Sequence, residues 1–326
     1  MSSKNESLAP IVLFAYDRPE HLMATLNALT KNTLSQESEL YLYCDGARLG
    51  AKEDQLLRIK RVREIANSVT GFKMVHVRGS EINKGLASSI INGVTEVINE
   101  RGKVIVLEDD IITSPFFLNY MNLALEYYEG RPSVMSISAD SPLEAGDSIP
   151  ADYDYDVFVS LRPTSWGWGT WKNKWERVDW SMEYMDEFLK HPKQVEAFGR
   201  LGDDMTPMLI SQRKGEIDSW AIRYCFAHFC EHAVSICPCT SYIDNIGFDG
   251  TGTHCGIAET KVPKDFSRCV ENPRFLSLLY EDAAIVNSFY NRYCENKRPL
   301  YQKVVNAVFR KMGKRAPFVI KKKIYA

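Results

Sequence analysis

The segment from Lys103 to Ile112 places an apolar run directly before three consecutive carboxylates. Residues 104–107 are Val, Ile, Val and Leu, and Glu108, Asp109 and Asp110 follow them. An uninterrupted β-branched and apolar run is typical of a strand buried on both faces of a parallel sheet. The carboxylates then lie at the carboxyl end of that strand, which is the edge where open α/β sheets bind ligands.

Three adjacent carboxylates repel one another, so they favour a nearby positive charge. A divalent cation that carries a nucleotide diphosphate would supply it, because Mg²⁺ and Mn²⁺ accept carboxylate oxygens and are held by one or two carboxylates plus substrate phosphates. The alternative is a solvated acidic turn before the next helix. This segment alone does not decide between the two interpretations.

The residues before this strand predict alternating strands and amphipathic helices. Apolar strands are expected at residues 11–15, 40–44 and 73–77, each followed by apolar residues at helical spacing. We expect Asp17 to cap the first helix, with Glu20 three residues later. The βαβαβαβ order predicts an α/β protein with a mostly parallel, twisted sheet flanked by helices.

Two nucleotide-binding motifs are missing from the sequence. No Gly-x-Gly-x-x-Gly follows the first predicted strand, and no Gly-x-x-x-x-Gly-Lys-Ser/Thr occurs anywhere. The dinucleotide-dehydrogenase and P-loop interpretations are therefore disfavoured.

Charge is distributed unevenly along the 326 residues. The net charge is −2, but residues 297–326 carry ten Lys and Arg and no Asp or Glu, which leaves −12 for the preceding residues. An acidic body argues against nucleic-acid binding. The first residues have no apolar core of a signal peptide, so we expect a cytoplasmic protein with its eight cysteines reduced.

The basic tail alternates its charges with valine, phenylalanine and isoleucine. This pattern is suited to the anionic inner face of a membrane, where each basic residue contributes about 1 kcal/mol. The alternatives are a solvated tail and a tail docked on the acidic body. Sedimentation with anionic vesicles, with and without residues 297–326, distinguishes them, since only membrane contact predicts loss of sedimentation on truncation.

Five of the six tryptophans lie between Trp166 and Trp180, interleaved with glycines. One interpretation is an acceptor site in which rings stack on a sugar, formed by Trp166, Gly167, Trp168 and Trp171. The other is an aromatic core beneath a loop, since exposed tryptophan is costly. Both interpretations remain open at this point.

Two later segments add candidate polar groups. Asp218 lies near the start of a predicted helix, where an acid is either a cap or a positioned base. Residues 245–254 form a glycine-punctuated loop that ends in His254. A loop of this kind is suited to closing over a bound diphosphate.

These motifs together resemble the glycosyltransferases of the GT-A fold. The similarity is to bacterial polysaccharide sugar transferases and extends to the N-acetylglucosaminyltransferase I family, whose Glu-Asp-Asp motif is similar to Glu108-Asp109-Asp110. It covers roughly residues 9–256. The matching segments, in chain order, are residues 9–13, 44–46, 83–85, 106–110, 218–220, and 245–247 through 253–254.

The resemblance implies specific roles for these residues. Asp110 would be the direct ligand of Mn²⁺ or Mg²⁺, with His254 near the metal or the diphosphate, and Asp218 would be the catalytic base. Its register is uncertain by one residue, because the family has paired acids where this chain has Asp218-Ser219. The donor-binding residues would be Asp17, Arg18, Asp45, Asn83, Lys84, Gly85, Glu108 and Asp109.

The resemblance implies an inverting transferase that moves a sugar from a nucleotide-diphosphate sugar, a UDP-sugar, to a glycan or lipid-linked acceptor. Residues 1–265 would form the catalytic domain, with a donor half at about 9–140 and an acceptor half at 141–265. Residues 266–326 would form a helical, basic extension. The alternatives are a nucleotidyltransferase that makes sugar nucleotides and a non-catalytic carbohydrate-binding protein.

Overall fold

The structure is a computed structural model that describes residues 7–143, 149–250 and 263–293, together with positions 305, 308, 309, 311 and 312. His254 and nearly all of the basic tail lie outside these residues. Within the described ranges, no helix combines the length and the apolar character that crossing a bilayer requires.

The first half of the chain alternates strands and helices as predicted. The apolar strands form because their residues are buried on both faces, and the helices between them bury one face each. Gly102 ends the third helix in the left-handed conformation, with φ of 80°. The elements are β1 (Ile11–Ala15), α1 (Pro19–Leu29), β2 (Glu39–Cys44), α2 (Glu53–Ser68), β3 (Met74–Gly79), α3 (Leu86–Arg101) and β4 (Lys103–Glu108).

The second half contains shorter elements. Four short helices, α5 to α8, lie between β8 and α9 in the chain. The elements are β5 (Ile111–Thr113), α4 (Phe117–Tyr128), β6 (Val134–Ser138), β7 (Val157–Ser160), β8 (Trp168–Trp171), α5 (Lys172–Trp175), α6 (Met185–Phe188), α7 (Pro192–Phe198), α8 (Met205–Arg213), α9 (Trp220–Cys230), β9 (Val234–Pro238), β10 (Ile243–Asn245) and α10 (Ala283–Tyr293).

Eight strands form one sheet in the order β3-β2-β1-β4-β8-β6-β9-β7. The strands β1 to β4 pair in parallel, as expected. The other side is mixed, because β8 runs antiparallel to both β4 and β6, and β7 runs antiparallel to β9. The strands β6 and β9 pair in parallel, so six of the eight strands run in the same direction and the sheet is mostly parallel, as expected. A separate antiparallel pair joins β5 to β10.

Helices cover both faces of this sheet. The core on one face includes residues of α1, α2 and α4, and the core on the other includes residues of α3 and α9. Full burial of an aliphatic side chain such as Leu22 or Val94 contributes about 1.5–3 kcal/mol. The protein is thus α/β, with a large central sheet between helical layers.

The expected cap of the first helix is wrong. The N-cap position of α1 is Arg18, and no side chain caps it. The Asp17 carboxylate instead accepts hydrogen bonds from Gln55 Nε2 at 2.9 Å and Arg58 Nη2 at 3.2 Å. Pro19 at the first helical position lacks an N–H group, so this end has one fewer donor for a cap to satisfy.

His228 of α9 is fully buried against the sheet. Its Nδ1 donates to the carbonyl of Tyr224 at 2.8 Å, so its Nε2 accepts from Ser136 Oγ at 2.9 Å. Burial lowers the pKa of His228 from 6.5 to about 4, and the positive charge of Arg177 acts in the same direction, while the bond to Tyr224 opposes it. The imidazole is therefore neutral in the folded protein at pH 7.

This pKa predicts a loss of stability in acid. Between pH 6.5 and 4 the unfolded chain binds a proton at His228 that the folded protein does not, so the free energy of unfolding falls by about 1.4 kcal/mol per pH unit. Urea titrations of the wild-type protein and His228→Gln across this range measure the effect. The contribution of His228 to the decrease in the free energy of unfolding should be absent from the variant. The same pH dependence in both proteins would contradict the prediction.

Candidate active site

A cleft of about 790 Å³ lies at the carboxyl ends of the first strands, within the range of ligand sites. It brings together most of the residues that the sequence singled out. Those that line it are Asp17, Arg18, Asp45, Asn83, Lys84, Gly85, Glu108, Asp109, Asp110, Trp166 and Asp218. Their individual roles stay predictions.

The acids lie at the end of β4 and in the turn before β5. Asp109 and Asp110 are only 3% and 5% exposed. The carbonyl of Asp109 accepts from Thr25 Oγ1 at 2.7 Å, and that of Asp110 accepts from Ile246 N at 2.8 Å. The turn that carries the carboxylates is therefore fixed by α1 and by the segment after β10.

Arg18 supplies a positive charge to this acidic turn. Its Nη1 lies 2.9 Å from Asp110 Oδ2, and its Nη2 donates to Asp109 Oδ1. The sequence interpretation considered only a metal ion as counter-charge. The structure shows that the chain itself provides one, from the residue before α1.

Burial disfavours charge on two of the acids. Burial, with the neighbouring charges of Asp110 and Asp109, raises the pKa of Glu108 to about 8, although Arg18 opposes the shift. Burial raises the pKa of Asp109 to about 7 despite the guanidinium of Arg18. Arg18 therefore compensates the negative charge of the acidic turn only in part, and a further cation nearby would be favourable.

The donor atoms of this turn fit a hard divalent cation, since carboxylate oxygens are its preferred ligands. Among the described residues, no group of three or more His, Cys, Asp or Glu is arranged to hold a metal by itself. Asp110, with a neighbouring carboxylate, is the group that could hold one together with substrate phosphates. His254 lies outside the described residues.

Gly247 packs directly against the acidic turn. A Cβ built at this position would collide with the Asp110 carboxylate and lie 3.1 Å from Arg18 Nη1. Only glycine leaves room for the carboxylate there. The glycine-punctuated loop predicted at residues 245–254 thus contacts the acids near its start.

Asp45 organises the loop that enters α3. Its carboxylate accepts from Asn83 Nδ2 at 3.0 Å and from the backbone N–H groups of Gly46, Lys84 and Gly85 at 2.9–3.1 Å. This places the Lys84 side chain and the N-terminal end of α3 at the cleft. The predicted contact of Asp45 with a nucleoside remains a prediction.

A row of side chains forms one wall of the cleft. Glu108, Phe14, Tyr43 and Arg78 are register partners on four adjacent strands, and the rings of Phe14 and Tyr43 stack at 5.3 Å. Neighbouring strands are about 4.8 Å apart, so the row spans about 14 Å. The wall therefore leads from the acids to the outer strand, over a length suited to an extended ligand.

Several residues of the cleft were missed from sequence. They include Tyr16, Arg48, Asn92, Glu96, Arg162 and Met208. Arg48 lies 5.8 Å from the centre of the Tyr16 ring. Tyr16 could have been found, because it directly follows the first predicted strand. Asn92 and Glu96 lie on one face of α3, and nothing local distinguishes that face from a solvated one.

Asp218 lines the same cleft as the acids and lies two residues before α9. Ser219 is the N-cap, since its side chain accepts from Ile222 N, so Asp218 is not the cap. The Asp218 carboxylate accepts from Arg223 Nη2, and its side chain is 62% exposed. Glu216 instead accepts from Ser211 Oγ at 2.8 Å. Asp218 is thus a carboxylate open to the cleft and oriented by an arginine.

The tryptophans divide between the two interpretations. Trp168 and Trp171 are each 1% exposed, and Trp168 stacks on Trp220 at 5.0 Å, so the expectation that both rings form an acceptor platform is wrong. They belong to β8, a strand inside the sheet. Trp166 is partly exposed and lines the cleft. Gly167, at φ of 60°, makes the turn between Trp166 and β8.

No protein-family model matches this chain, and no curated protein matches it significantly. Solved structures with weak similarity include a mannosyltransferase, PcManGT from Pyrobaculum calidifontis in complex with GDP-Man and Mn²⁺. It is 9% identical, with a TM-score of 0.35, over 54% of this chain and 48% of that one.

Two further structures are similar to the same degree. S. aureus TarS is 15% identical, with a TM-score of 0.30, over 46% of this chain and 24% of its own. An active-site mutant of LgtC is 12% identical, with a TM-score of 0.32, over 56% of this chain and 64% of its own. The chain spans less than two thirds of each structure. TM-scores this low support no conclusion about function. The function proposed below rests on the residues of the site.

The Arg18 contacts predict a link between this residue and metal binding. In Arg18→Met, Asp109 and Asp110 lose their buried partner, which costs about 3–5 kcal/mol. A divalent cation should then restore stability, because it binds the folded state at the freed carboxylates. Thermal unfolding with and without MnCl₂ should show a larger stabilisation of Arg18→Met than of the wild-type protein.

Arg58→Met is the matched control, because Arg58 pairs with Asp54 and Asp17 at the surface and contacts neither buried acid. Its response to MnCl₂ should equal that of the wild type. An equal response of all three proteins would show that Arg18 does not compete for the carboxylates.

Proposed function

We propose that this protein is a glycosyltransferase of the GT-A fold that transfers a sugar from a nucleotide-diphosphate donor to a hydroxyl group of an acceptor. The observation that carries the proposal is a single cleft lined both by a buried acidic turn and by an exposed, arginine-oriented carboxylate, Asp218. The first suits a metal-bound diphosphate and the second suits a general base.

The donor would lie along the wall that begins at Glu108. Its diphosphate is best matched by Lys84 and by the positive, N-terminal end of α3, where backbone N–H groups favour phosphate. Arg18, released from the acids, would add a second cation. The nucleoside would extend over Phe14 and Tyr43 towards Arg78. The uridine that the family resemblance implies is part of this proposal.

In the transfer step, the acceptor oxygen forms a bond to the anomeric carbon while the bond from that carbon to the phosphate oxygen breaks. The acceptor's proton passes to the Asp218 carboxylate, and the bonding electrons leave with the nucleoside diphosphate. Lys84 and Arg18 would stabilise the charge that develops on the leaving group. A divalent cation at Asp110, Mn²⁺ or Mg²⁺, would supply further positive charge there.

Attack from the face opposite the diphosphate inverts the anomeric configuration. A retaining reaction through a covalent intermediate needs a second acid close to the anomeric carbon as nucleophile. Asp109 and Asp110 are buried, and in this proposal Asp110 would hold the metal, so the turn offers no free acid as nucleophile, which favours the single displacement. The acceptor side would be formed by residues 141–265, and the acceptor would be a glycan or a lipid-linked oligosaccharide of a surface polysaccharide.

The two rival functions fit the site less well. A nucleotidyltransferase requires a phosphate-binding loop rich in Gly and Lys after the first strand, where this chain has Tyr16-Asp17-Arg18-Pro19. A carbohydrate-binding protein would present its tryptophans, yet Trp168 and Trp171 are buried. It would also have no use for a buried acidic turn.

Asp218→Asn tests the base. Removal of a general base lowers the rate by about 10²- to 10⁴-fold and leaves ground-state binding largely unchanged. We expect Asp218→Asn to lose transfer while a nucleoside diphosphate with Mn²⁺ still raises its melting temperature. The measurements are thermal unfolding and product formation across a panel of nucleotide sugars, with NMR of the anomeric proton to determine configuration.

Asp110→Asn is the informative comparison, because it should lose both the thermal shift and transfer. Near-normal turnover by a folded Asp218→Asn protein, or a product that keeps the donor's configuration, would contradict the assignment of Asp218.

A further inference from the structure

A second, smaller cavity of about 240 Å³ opens beside the cleft. Five residues line both spaces, so the two meet along a shared boundary. They are Arg162, Ser165, Trp166, Met208 and Ala221. A water needs only about 10–15 Å³ of such space, so this volume accommodates a group the size of a ring or a short chain.

The position of this cavity relates it to the proposed reaction. Asp218 lines the cleft, and Ala221 and Ile222, in the first turn of the helix that follows it, line the small cavity. An acceptor held at Asp218 could therefore extend along this helix into the small cavity.

The lining of the cavity is mainly apolar. Met205 and Met208 come from α8, Ile222 from α9 and Phe289 from α10, and Trp166 stands at the boundary with the cleft. Thioether side chains are flexible and adapt to apolar groups of varied shape. This composition differs from that of the cleft, whose walls carry most of the charged residues.

The charged groups of the cavity are already paired. Arg162 makes two hydrogen bonds to Asp204, at 2.8 and 2.9 Å, and its guanidinium lies 4.6 Å from the centre of the Tyr293 ring. The buried Asp140 pairs with Lys264 and accepts from Ser241 Oγ at 3.0 Å. A bare sugar, which needs many hydrogen-bond partners, would find few of them here.

One polar atom in the lining has no such partner. The hydroxyl oxygen of Thr164 is buried and makes no hydrogen bond within the part of the chain that the structure describes. Buried polar groups are normally satisfied, so this hydroxyl is available to a ligand. The cavity thus matches an apolar group that carries one polar atom, such as the oxygen that links an aglycone to a sugar.

We propose that this cavity binds an apolar aglycone of the acceptor, so that the acceptor is an amphipathic glycoside or a lipid-linked sugar and not a free glycan. The inference rests on the proposed transferase function, because it takes Asp218 to mark the reacting hydroxyl. In this proposal, the aglycone contacts Met208, Ile222 and the face of α10 that carries Phe289, and these contacts select the acceptor.

Binding of simple glycosides to the full chain tests this site directly. Phenyl, n-octyl and methyl glycosides of glucose, galactose, mannose and N-acetylglucosamine are titrated by calorimetry without donor. An apolar contact of this size should tighten binding by about tenfold or more. We expect the phenyl or octyl glycoside of at least one sugar to bind that much more tightly than its methyl counterpart, and the two arms distinguish a ring from an alkyl chain.

Variants of Met208 locate the effect. Met208 is only partly buried, so Met208→Glu places a carboxylate in the cavity at little cost to the fold and should abolish the preference. Met208→Leu should retain it. Met74→Glu is the matched control, since Met74 is exposed at the start of β3, far from the carboxyl end of the sheet, and should leave the preference unchanged.

Two results would overturn the proposal: no preference for any phenyl or octyl glycoside in the wild-type protein, or a preference that persists in Met208→Glu. The thermal shift with nucleoside diphosphate and Mn²⁺ reports on the donor side independently. A normal shift with no aglycone preference rejects this site alone, whereas loss of the shift rejects the proposed function.

Discussion

The ion pairs between Arg18 and the buried carboxylates of Asp109 and Asp110 are the interaction on which the cleft depends. Carboxylates this deeply buried are expensive unless a cation compensates them. Arg18 is the N-cap residue of α1, so the start of this helix lies beside the acids, and Gly247 packs against the same groups. Arg18 therefore compensates part of the negative charge of the acidic turn but not all of it, and the pKa of Glu108 is still raised to about 8.

Much of the first half could be predicted because its signals are local. Buried strands have apolar runs, and the helices between them have apolar residues at helical spacing, so β1 to β4 were found within one or two residues. The cleft residues followed from topology, since parallel strands end at one edge. The partners of those residues could not be predicted. Arg18 and Asp109 are 91 positions apart, and only the fold shows that they pair.

The tryptophan-rich segment shows where local signals fail. A Trp-Gly-Trp-Gly pattern is equally compatible with a binding loop and with a short strand, because the local sequence does not show which other residues pack on the tryptophan rings. In the structure, Gly169 faces the carbonyl of Val104 with no room for a side chain, which lets β8 enter between β4 and β6. This insertion buries Trp168 and Trp171 and makes the second half of the sheet mixed. Neither consequence is encoded within the segment itself.

The row Glu108, Phe14, Tyr43 and Arg78 makes one wall of the cleft a property of strand alignment. Each member belongs to a different strand, and the four share a face only because the strands pair in this register. Side chains alternate between faces, so shifting one strand by a single residue would turn its member of the row to the opposite face. Insertions and deletions should therefore be excluded from β1 to β4 during evolution, whereas substitutions that preserve chain length could retune the wall one strand at a time.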